Sequence, residues 1–422
     1  MLSHEDNVRI TRVGKGTPTG EMMRRYWIPA LCSEELPESD GAPVRVRLLG
    51  EDLVAFRQTD GSVSLISAFC PHRRAPMFFG RNEENGLRCV YHGWKFNGTG
   101  RCVDMPSEPS DSLFKSKVTI DAYPTWEGGG IVWTYMGPAD QKPGHPDYEW
   151  LRTPAAHRHV SKTFQECNYL QALEGGLDTA HSSHLHNERV GDKNLLRNRD
   201  GHPRLDVEIR PHGYQYISTR NIGEDGKYIR IYQFVMPFQQ MRGAVTKWNK
   251  AAREDVPTIH GHLWVPIDDT HTMTYNFMYS YDESVPFTED WAWGYETWTG
   301  RGKDDITPDY RLKKNLTNDY QIDRELQKKT SYTGIIGINT QDIALQEGMG
   351  PICDRTKEHL GTTDRAIIAA RRLLLEAAAD VEAGKTPRGA DPATHNAVRA
   401  HDDIVPADAD WRMLERETVA KW

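Results

Sequence analysis

"CPHRRAPMFFGRNEENGLRCVYHGW", residues 70–94, sets Cys70 two positions before His72 and, after sixteen intervening residues, Cys89 three positions before His92. Turn-forming residues surround both pairs, so two loop tips can bring four ligand-type side chains to one place. Two thiolates and two imidazoles suit a tetrahedral zinc clip, which would be structural. Zinc fingers, however, group cysteine with cysteine and histidine with histidine, whereas each loop here supplies one of each.

A mixed pair on each loop matches a Rieske 2Fe-2S cluster, in which one iron takes two thiolates and the other two neutral imidazoles. Exchanging thiolate for imidazole removes negative ligand charge and raises the potential, so such a cluster accepts electrons readily. Membrane-bound respiratory Rieske subunits resemble this motif but add a cysteine to each loop and an anchor helix. Here Cys102 lies beyond the second loop, and the longest apolar runs, such as "AIIAARRLLLEAAA", are interrupted by charge.

The rest of the 422-residue chain bounds the setting. Its length predicts two domains. Fifty-two basic against sixty acidic side chains, a net charge of -8, argue against a nucleic-acid binder. No signal peptide or membrane span is read, which predicts a cytoplasmic protein. Cys32, Cys70, Cys89, Cys102, Cys167 and Cys353 are too sparse for a disulfide framework.

Short strands separated by Gly, Asp-Gly and Asn-Gly breakers from about 42 to 140 predict a small all-β unit. The Pro- and Gly-rich stretch from 136 marks a boundary, giving domains at 1–155 and 156–422. Residues 204–282 predict an antiparallel sheet, 283–330 a mostly irregular segment, and "TQDIALQEGMG" and about 363–383 two helices. The fold class is α+β, a sheet gripped by long helices around a pocket.

"ALEGGLDTAHSSHLHNE", residues 172–188, then concentrates Glu174, Asp178, His181, His184 and His186. On a helix Asp178, His181 and His184 share a face, and only a break after His181 brings His186 to the same point. The alternative is a polar helix end with solvated histidines.

Together the two stretches resemble the Rieske non-heme iron aromatic-ring oxygenases, specifically the oxygenase (alpha) subunit. "VRVRLLGEDLVAFR", "AFCPHRRAPMFFGRNEENGLRCVYHGWKF" and "MPSEPSDS" look like the phthalate 4,5-dioxygenase branch. The resemblance implies an N-terminal all-β Rieske domain whose cluster is held by Cys70, His72, Cys89 and His92. It also implies a C-terminal helix-grip (START-like) catalytic domain with mononuclear Fe(II) on His181, His186 and a late carboxylate. Asp342 of "GINTQDIALQEG" is chosen for that carboxylate over Glu347, and His184 becomes a bystander. Asp178 matches the family's bridging aspartate, between a cluster histidine of one subunit and an iron ligand of its neighbour, which implies a homotrimer or hexamer.

The same resemblance implies electrons from a separate NADH-dependent FMN and 2Fe-2S reductase, dioxygen as co-substrate, and an aromatic carboxylate as substrate in aromatic catabolism. Phthalate-type ring cis-dihydroxylation is the first expectation. O-demethylation of a lignin-derived methoxyaryl acid such as dehydrodivanillate is the alternative, and a Rieske electron-transfer protein without oxygenase activity is the remote one. An anionic substrate needs a fixed cation, best an arginine. Among Arg204, Arg220, Arg230 and Arg242 the choice is Arg242, then Arg204. His260 and His262 read as packing or a surface pair, and the aromatics of "KWNK", "WAWGYETW" and "YNFMYSY" receive no role.

Overall fold

The breakers between residues 42 and 140 cut the chain into strands too short for one large sheet, and the N-terminal unit is built from three small antiparallel ones. One orders Val44–Leu48, Glu51–Arg57, Val63–Ser67 and Ala122–Tyr123. A second joins Trp27–Cys32, Ile131–Tyr135 and Thr125–Gly128. The third consists of two- and three-residue strands, Arg81–Asn82, Leu87–Arg88, Lys95–Phe96 and Cys102–Asp104, and carries the second loop. Val54, Phe56, Ile66, Met77, Leu87 and Phe96 form a core of its own, in which Cys70, Cys89 and Cys102 are buried. The computed structural model describes residues 2–190, 195–243 and 256–422.

The C-terminal unit is an antiparallel sheet in the order Arg158–Gln165, Thr272–Ser280, Thr258–Pro266, Gln239–Gly243, Lys227–Val235, Gly213–Asn221 and Arg204–Arg210. Gln239–Gly243 pairs with one end of Lys227–Val235, and His401–Val405 takes the other end of the same edge. Arg158–Gln165 at one edge and His401–Val405 beside Lys227–Val235 extend the sheet predicted for 204–282 at positions that carry no clear alternation.

Two short N-terminal helices, α1 (His4–Thr11) and α2 (Pro18–Met23), precede the β unit in sequence yet pack on the C-terminal one. Asn168 and Tyr169 donate to the carbonyls of Thr11 and Ile10 at 2.9 Å each. Helix α3 (Tyr169–Leu177) lies between the sheet and helix α5 (Ile338–Gly348). Two glycines inside α3 permit this. A Cβ on Gly175 would stand 2.2 Å from Gln346 of α5, and one on Gly176 would stand 2.1 Å from Trp264 of the sheet. Glycine costs a helix interior about 0.5–1 kcal/mol, and here close packing on both sides requires it.

Residues 283–330 depart from the irregular expectation. Glu289–Thr299 is a helix, α4, capped by Thr288, opened by Glu289 and Asp290 and closed by left-handed Gly300. These are ordinary start and stop signals, obscured by a run of aromatics that breaks the apolar period. Gly300 in turn sits against Gly337, where a Cβ would lie 2.9 Å from the Gly300 backbone, so the ends of α4 and α5 meet. The predicted long helix is α6 (Arg365–Glu382).

The elements around α3 are locked by charge. Glu174 accepts from Arg355 Nη2 at 3.0 Å and Arg371 Nε at 2.6 Å, and all three are buried. Burial alone would raise the Glu174 carboxyl, but the two guanidinium groups overrule it and hold it below its ordinary range. Arg355 also contacts Asn7 of α1, and Arg371 belongs to α6. Removing one member of such a set leaves buried charge uncompensated, at a cost of about 3–5 kcal/mol. Glu174→Ala is therefore expected to lower the stability of the C-terminal unit by that amount in denaturant unfolding followed by tryptophan fluorescence.

Candidate functional site

The two Cys-His loops are the same turn used twice. In the first, Arg74 N–H donates to the Cys70 carbonyl and Cys70 N–H to the Ala75 carbonyl, each at 2.9 Å. In the second, Gly93 N–H donates to the Cys89 carbonyl at 2.9 Å and Cys89 N–H to the Trp94 carbonyl at 2.8 Å. The fifth residue of each turn is left-handed, Arg74 at φ 61° and Gly93 at φ 78°. Pro106 sits where a Gly93 side chain would go, 2.6 Å from an added Cβ.

The turns bring the thiols together on one side and the imidazoles on the other. The Cys70 thiol is pushed up to about 11 by burial and by Cys89 beside it, with the His72 amide opposing. The His72 and His92 rings meet edge to face with centroids 4.4 Å apart, and His72 stacks on Trp94 at 4.3 Å. His72 Nδ1 is buried without a hydrogen-bond partner among the described residues, which suits a nitrogen reserved for a metal.

Zinc would draw all four ligand atoms around one ion. Among the described residues, however, the only set of three or more such atoms lying within 4.8 Å of one another is His181, His186 and Asp342. A thiol pair beside an imidazole pair is the division a two-iron cluster requires.

The second constellation is assembled by a break in the helix. Helix α3 stops at Leu177, and Asp178 turns to extended backbone at ψ 125°, its carboxylate accepting from Ala180 N–H at 2.7 Å. That local bond competes with continued helix. The break therefore falls at Asp178, three residues earlier than the expected place after His181. A single 3-10 turn, His181–Ser183, follows, and Leu185 N–H donates back to the His181 carbonyl at 2.7 Å.

This doubling back sets His181 Nε2 3.1 Å from His186 Nε2. Asp342 Oδ1, from α5, stands 3.4 Å from the first and 3.3 Å from the second. Two donors about 2.1 Å from one ion and at right angles lie about 3 Å apart, so the spacing fits one face of an octahedral site. His184 is exposed and faces Tyr332. Glu347 lies elsewhere, bonded to Tyr320 and to the Glu166 amide.

Both imidazoles are oriented from behind. Gln341 Nε2 donates to the Ile335 carbonyl at 2.7 Å, so its Oε1 is the atom 2.8 Å from His186 Nδ1 and must accept from it. His181 Nδ1 faces Asp178 Oδ2 at 3.4 Å. Each ring thereby turns a bare Nε2 to the shared point. Burial works against a proton on His181, but Asp178 and Asp342 outweigh it and raise its affinity. Burial would raise Asp342, which His186 and His181 hold below its ordinary range. The set offers a metal two imidazole nitrogens and one carboxylate with the remaining positions free, the arrangement of non-heme Fe(II) sites.

The triad borders a cavity of about 230 Å³ whose wall includes Arg197, Arg230, Arg242, Trp264, Tyr295 and Trp298. Of the four predicted arginines, Arg242 lines it and has no hydrogen-bond or ion-pair partner among the described residues. Arg230 is committed to Asp402 at 3.4 Å, and Arg220 to the Thr179 and Asp200 carbonyls. Arg204 corrects the expectation. It opens the edge strand, 80% of its side chain is exposed, it faces Asp206, and it does not border the cavity.

His260 and His262, read as packing or surface residues, are buried in the cavity wall. Sequence reasoning also missed Arg197, Gln341 and Arg301, which tertiary placement alone brings here. Trp248 of "KWNK" lies outside the described residues.

Outer partners of ligating histidines are worth about 10- to 100-fold in metal affinity. Gln341→Leu is expected to weaken Fe(II) binding at the second site by that factor in an equilibrium titration, leaving the cluster absorption unchanged. His181→Ala is expected to abolish that binding, and Cys89→Ser to remove the cluster colour while the second site still binds Fe(II).

Comparison with known proteins places these observations. Residues 26–124 match the model of the Rieske [2Fe-2S] domain, and residues 134–421 match the model described as LigXa C-terminal domain like. The oxygenase subunit of phthalate 4,5-dioxygenase from Pseudomonas putida is 41% identical over 99% of this chain and 96% of its own. That of 3-chlorobenzoate-3,4-dioxygenase from Comamonas testosteroni is 39% identical over 99% of both. The 5,5'-dehydrodivanillate O-demethylase oxygenase subunit from Sphingobium is 31% identical over 94% of this chain and 86% of its own. In fold, Pseudomonas putida CBB5 NdmA with theobromine superposes with a TM-score of 0.62 at 17% identity, over 93% of this chain and 99% of its own. With the two domains matched in tandem and relatives aligned along nearly their whole lengths, this chain belongs to the Rieske oxygenases, as an oxygenase subunit that uses a 2Fe-2S cluster and a mononuclear iron.

Proposed function

We propose that the chain is the terminal component of a system that oxygenates an aromatic carboxylate, by phthalate-type cis-dihydroxylation of the ring, at Fe(II) held by His181, His186 and Asp342. Cys70, His72, Cys89 and His92 hold the cluster in this reading. The observation that carries it is Arg242, a guanidinium with no carboxylate partner among the described residues, on the wall of the cavity that the His-His-Asp set borders. Arg197 adds a second cation to that wall, its Nη2 donating to the His186 carbonyl at 2.9 Å. Cations held in a partly closed cavity favour an anion, and arginine binds a carboxylate in two places. Benzene fits an apolar cavity of roughly 150 Å³, so about 230 Å³ suits one ring with its carboxyl groups.

Iron, when bound, supplies the activation of dioxygen with electrons delivered through the cluster. The chain's part is positional. Arg242 anchors the substrate carboxylate, Trp264, Tyr295 and Trp298 wall the ring and exclude water, and His181, His186 and Asp342 would hold the metal. O-demethylation of a methoxyaryl acid is the second reading, favoured by the 31% identical O-demethylase subunit. It needs the same anchor with a methoxy carbon placed toward the metal.

Electrons come from a separate NADH-dependent FMN and 2Fe-2S reductase, and the working unit is a cytoplasmic homotrimer or hexamer. No helix among the described residues is long and apolar enough to cross a membrane. In support of assembly, the cluster loops do not border the iron cavity. The surface near them exposes Phe79, Val90, Tyr91 and Leu113, and Asp178, with a quarter of its side chain exposed, stands behind His181 where a neighbour's cluster loop can reach it.

With reductase and NADH, phthalate, a substituted benzoate and a methoxylated biaryl acid separate the readings. A dihydrodiol from either of the first two is expected, and formaldehyde from the third alone establishes the second reading instead. A lost charged hydrogen bond is worth about 1.5–3 kcal/mol, so Arg242→Met is expected to raise KM for the acid about 10- to 100-fold with the cluster spectrum intact. Asp178→Asn is expected to keep both metals and slow oxidation of the reduced cluster at least about tenfold in stopped flow. A normal rate would mean that another route couples them.

A further inference from the structure

His262 lines the cavity from the strand Thr258–Pro266, directly across from Asn276 on Thr272–Ser280. Its Nδ1 lies 2.8 Å from Asn276 Oδ1. Arg301 Nη1 donates to the same oxygen at 2.8 Å, while Arg301 Nε and Nη2 grip Glu296 at 2.8 and 3.2 Å. All four side chains are more than nine-tenths buried. Arginine can only donate, so the Asn276 atom it touches is the carbonyl oxygen. The amide nitrogen accordingly faces two hydroxyls, Ser161 Oγ at 3.2 Å and Thr163 Oγ1 at 3.3 Å.

An oxygen fixed in this way cannot donate, so His262 must carry a proton on Nδ1. Burial first, then Arg242 and Arg301, hold the imidazole far below its ordinary range, so it has no second proton. Nε2 is therefore a bare lone pair. It has no partner among the described residues and is not among the buried atoms sealed from open space. The cavity wall thus carries an acceptor as well as donor-only guanidinium groups.

We propose that His262 is a specificity-determining residue whose Nε2 accepts a hydrogen bond from a ring substituent of the substrate, so that the pocket prefers aromatic acids carrying a hydroxyl or amino hydrogen over equal-sized acids without one. Glu296, Arg301 and Asn276 are positioning residues that fix the tautomer. The inference rests on the aromatic-acid reading above and narrows it.

The test measures dissociation constants by calorimetry on the holoenzyme for benzoates and phthalates bearing a hydroxyl at each ring position, each against the fluoro analogue of the same position. One neutral hydrogen bond predicts a preference of about tenfold for at least one hydroxylated isomer. That ratio is expected to fall to about one in His262→Phe and to persist in His262→Gln, whose amide oxygen still accepts. A ratio near one at every position in the unmodified protein overturns the inference whatever the variants do, as does a preference that survives in His262→Phe. If no aromatic acid binds at all, the aromatic-acid reading falls and takes this inference with it, whereas equal binding of both series removes the inference alone.

Discussion

The buried carboxylate of Glu174 is the constraint on which the catalytic unit depends. Its two guanidinium partners come from the segment after α5 and from α6, and through Asn7 the same knot reaches the amino-terminal helices. An ion set of this kind is poor as a source of net stability but costly to disarrange, so it fixes geometry. What it fixes is α3, whose final residue precedes the turn that carries the first two iron-ligand candidates. Gly175 and Gly176 leave room for the Gln346 side chain of α5 and the Trp264 ring of the sheet directly against that helix, so Asp342 and the two histidines inherit one rigid frame.

A second physical theme is the use of amides as orientation devices. Gln341 and Asn276 each have one end fixed by a group of unambiguous polarity, a backbone carbonyl in one case and a guanidinium in the other. The remaining end then dictates which imidazole nitrogen holds the proton. At His186 this frees Nε2 for a metal, and at His262 it frees Nε2 for the cavity. Neither amide needs to touch a metal or a substrate to decide what its histidine can do, and low dielectric around both makes the choice firm.

Local spacing made the cluster loops legible in the sequence, because each turn is closed by bonds between residues four or five positions apart and needs nothing from the rest of the fold. His181 and His186 are legible for a similar reason, although helical periodicity puts the break after His181 because it takes no account of the Asp178 carboxylate capturing the Ala180 amide. The sheet was read from alternation over 204–282. Two of its strands, Arg158–Gln165 at one edge and His401–Val405 beside Lys227–Val235, and helix α4 lack a clear period. Membership of a strand says nothing about position in a sheet, so Arg204 at the edge and Arg242 facing the cavity looked equivalent until the strand order separated them. Both family models and the full-length relatives agree with the expected class, fold and cofactors.

We propose that the cluster and the triad form one oxygenating machine, in which the first supplies electrons and the second uses them with dioxygen to oxygenate an aromatic acid. Single turnover tests it without any reductase: the protein is loaded with both irons, the cluster is reduced chemically, excess reductant is removed, and substrate and dioxygen are added together. Oxygenated product is expected in proportion to the mononuclear iron, appearing as the cluster is oxidised. Oxidation of the cluster with no oxygenated product from any aromatic acid, or product formed without oxidation of the cluster, would contradict it.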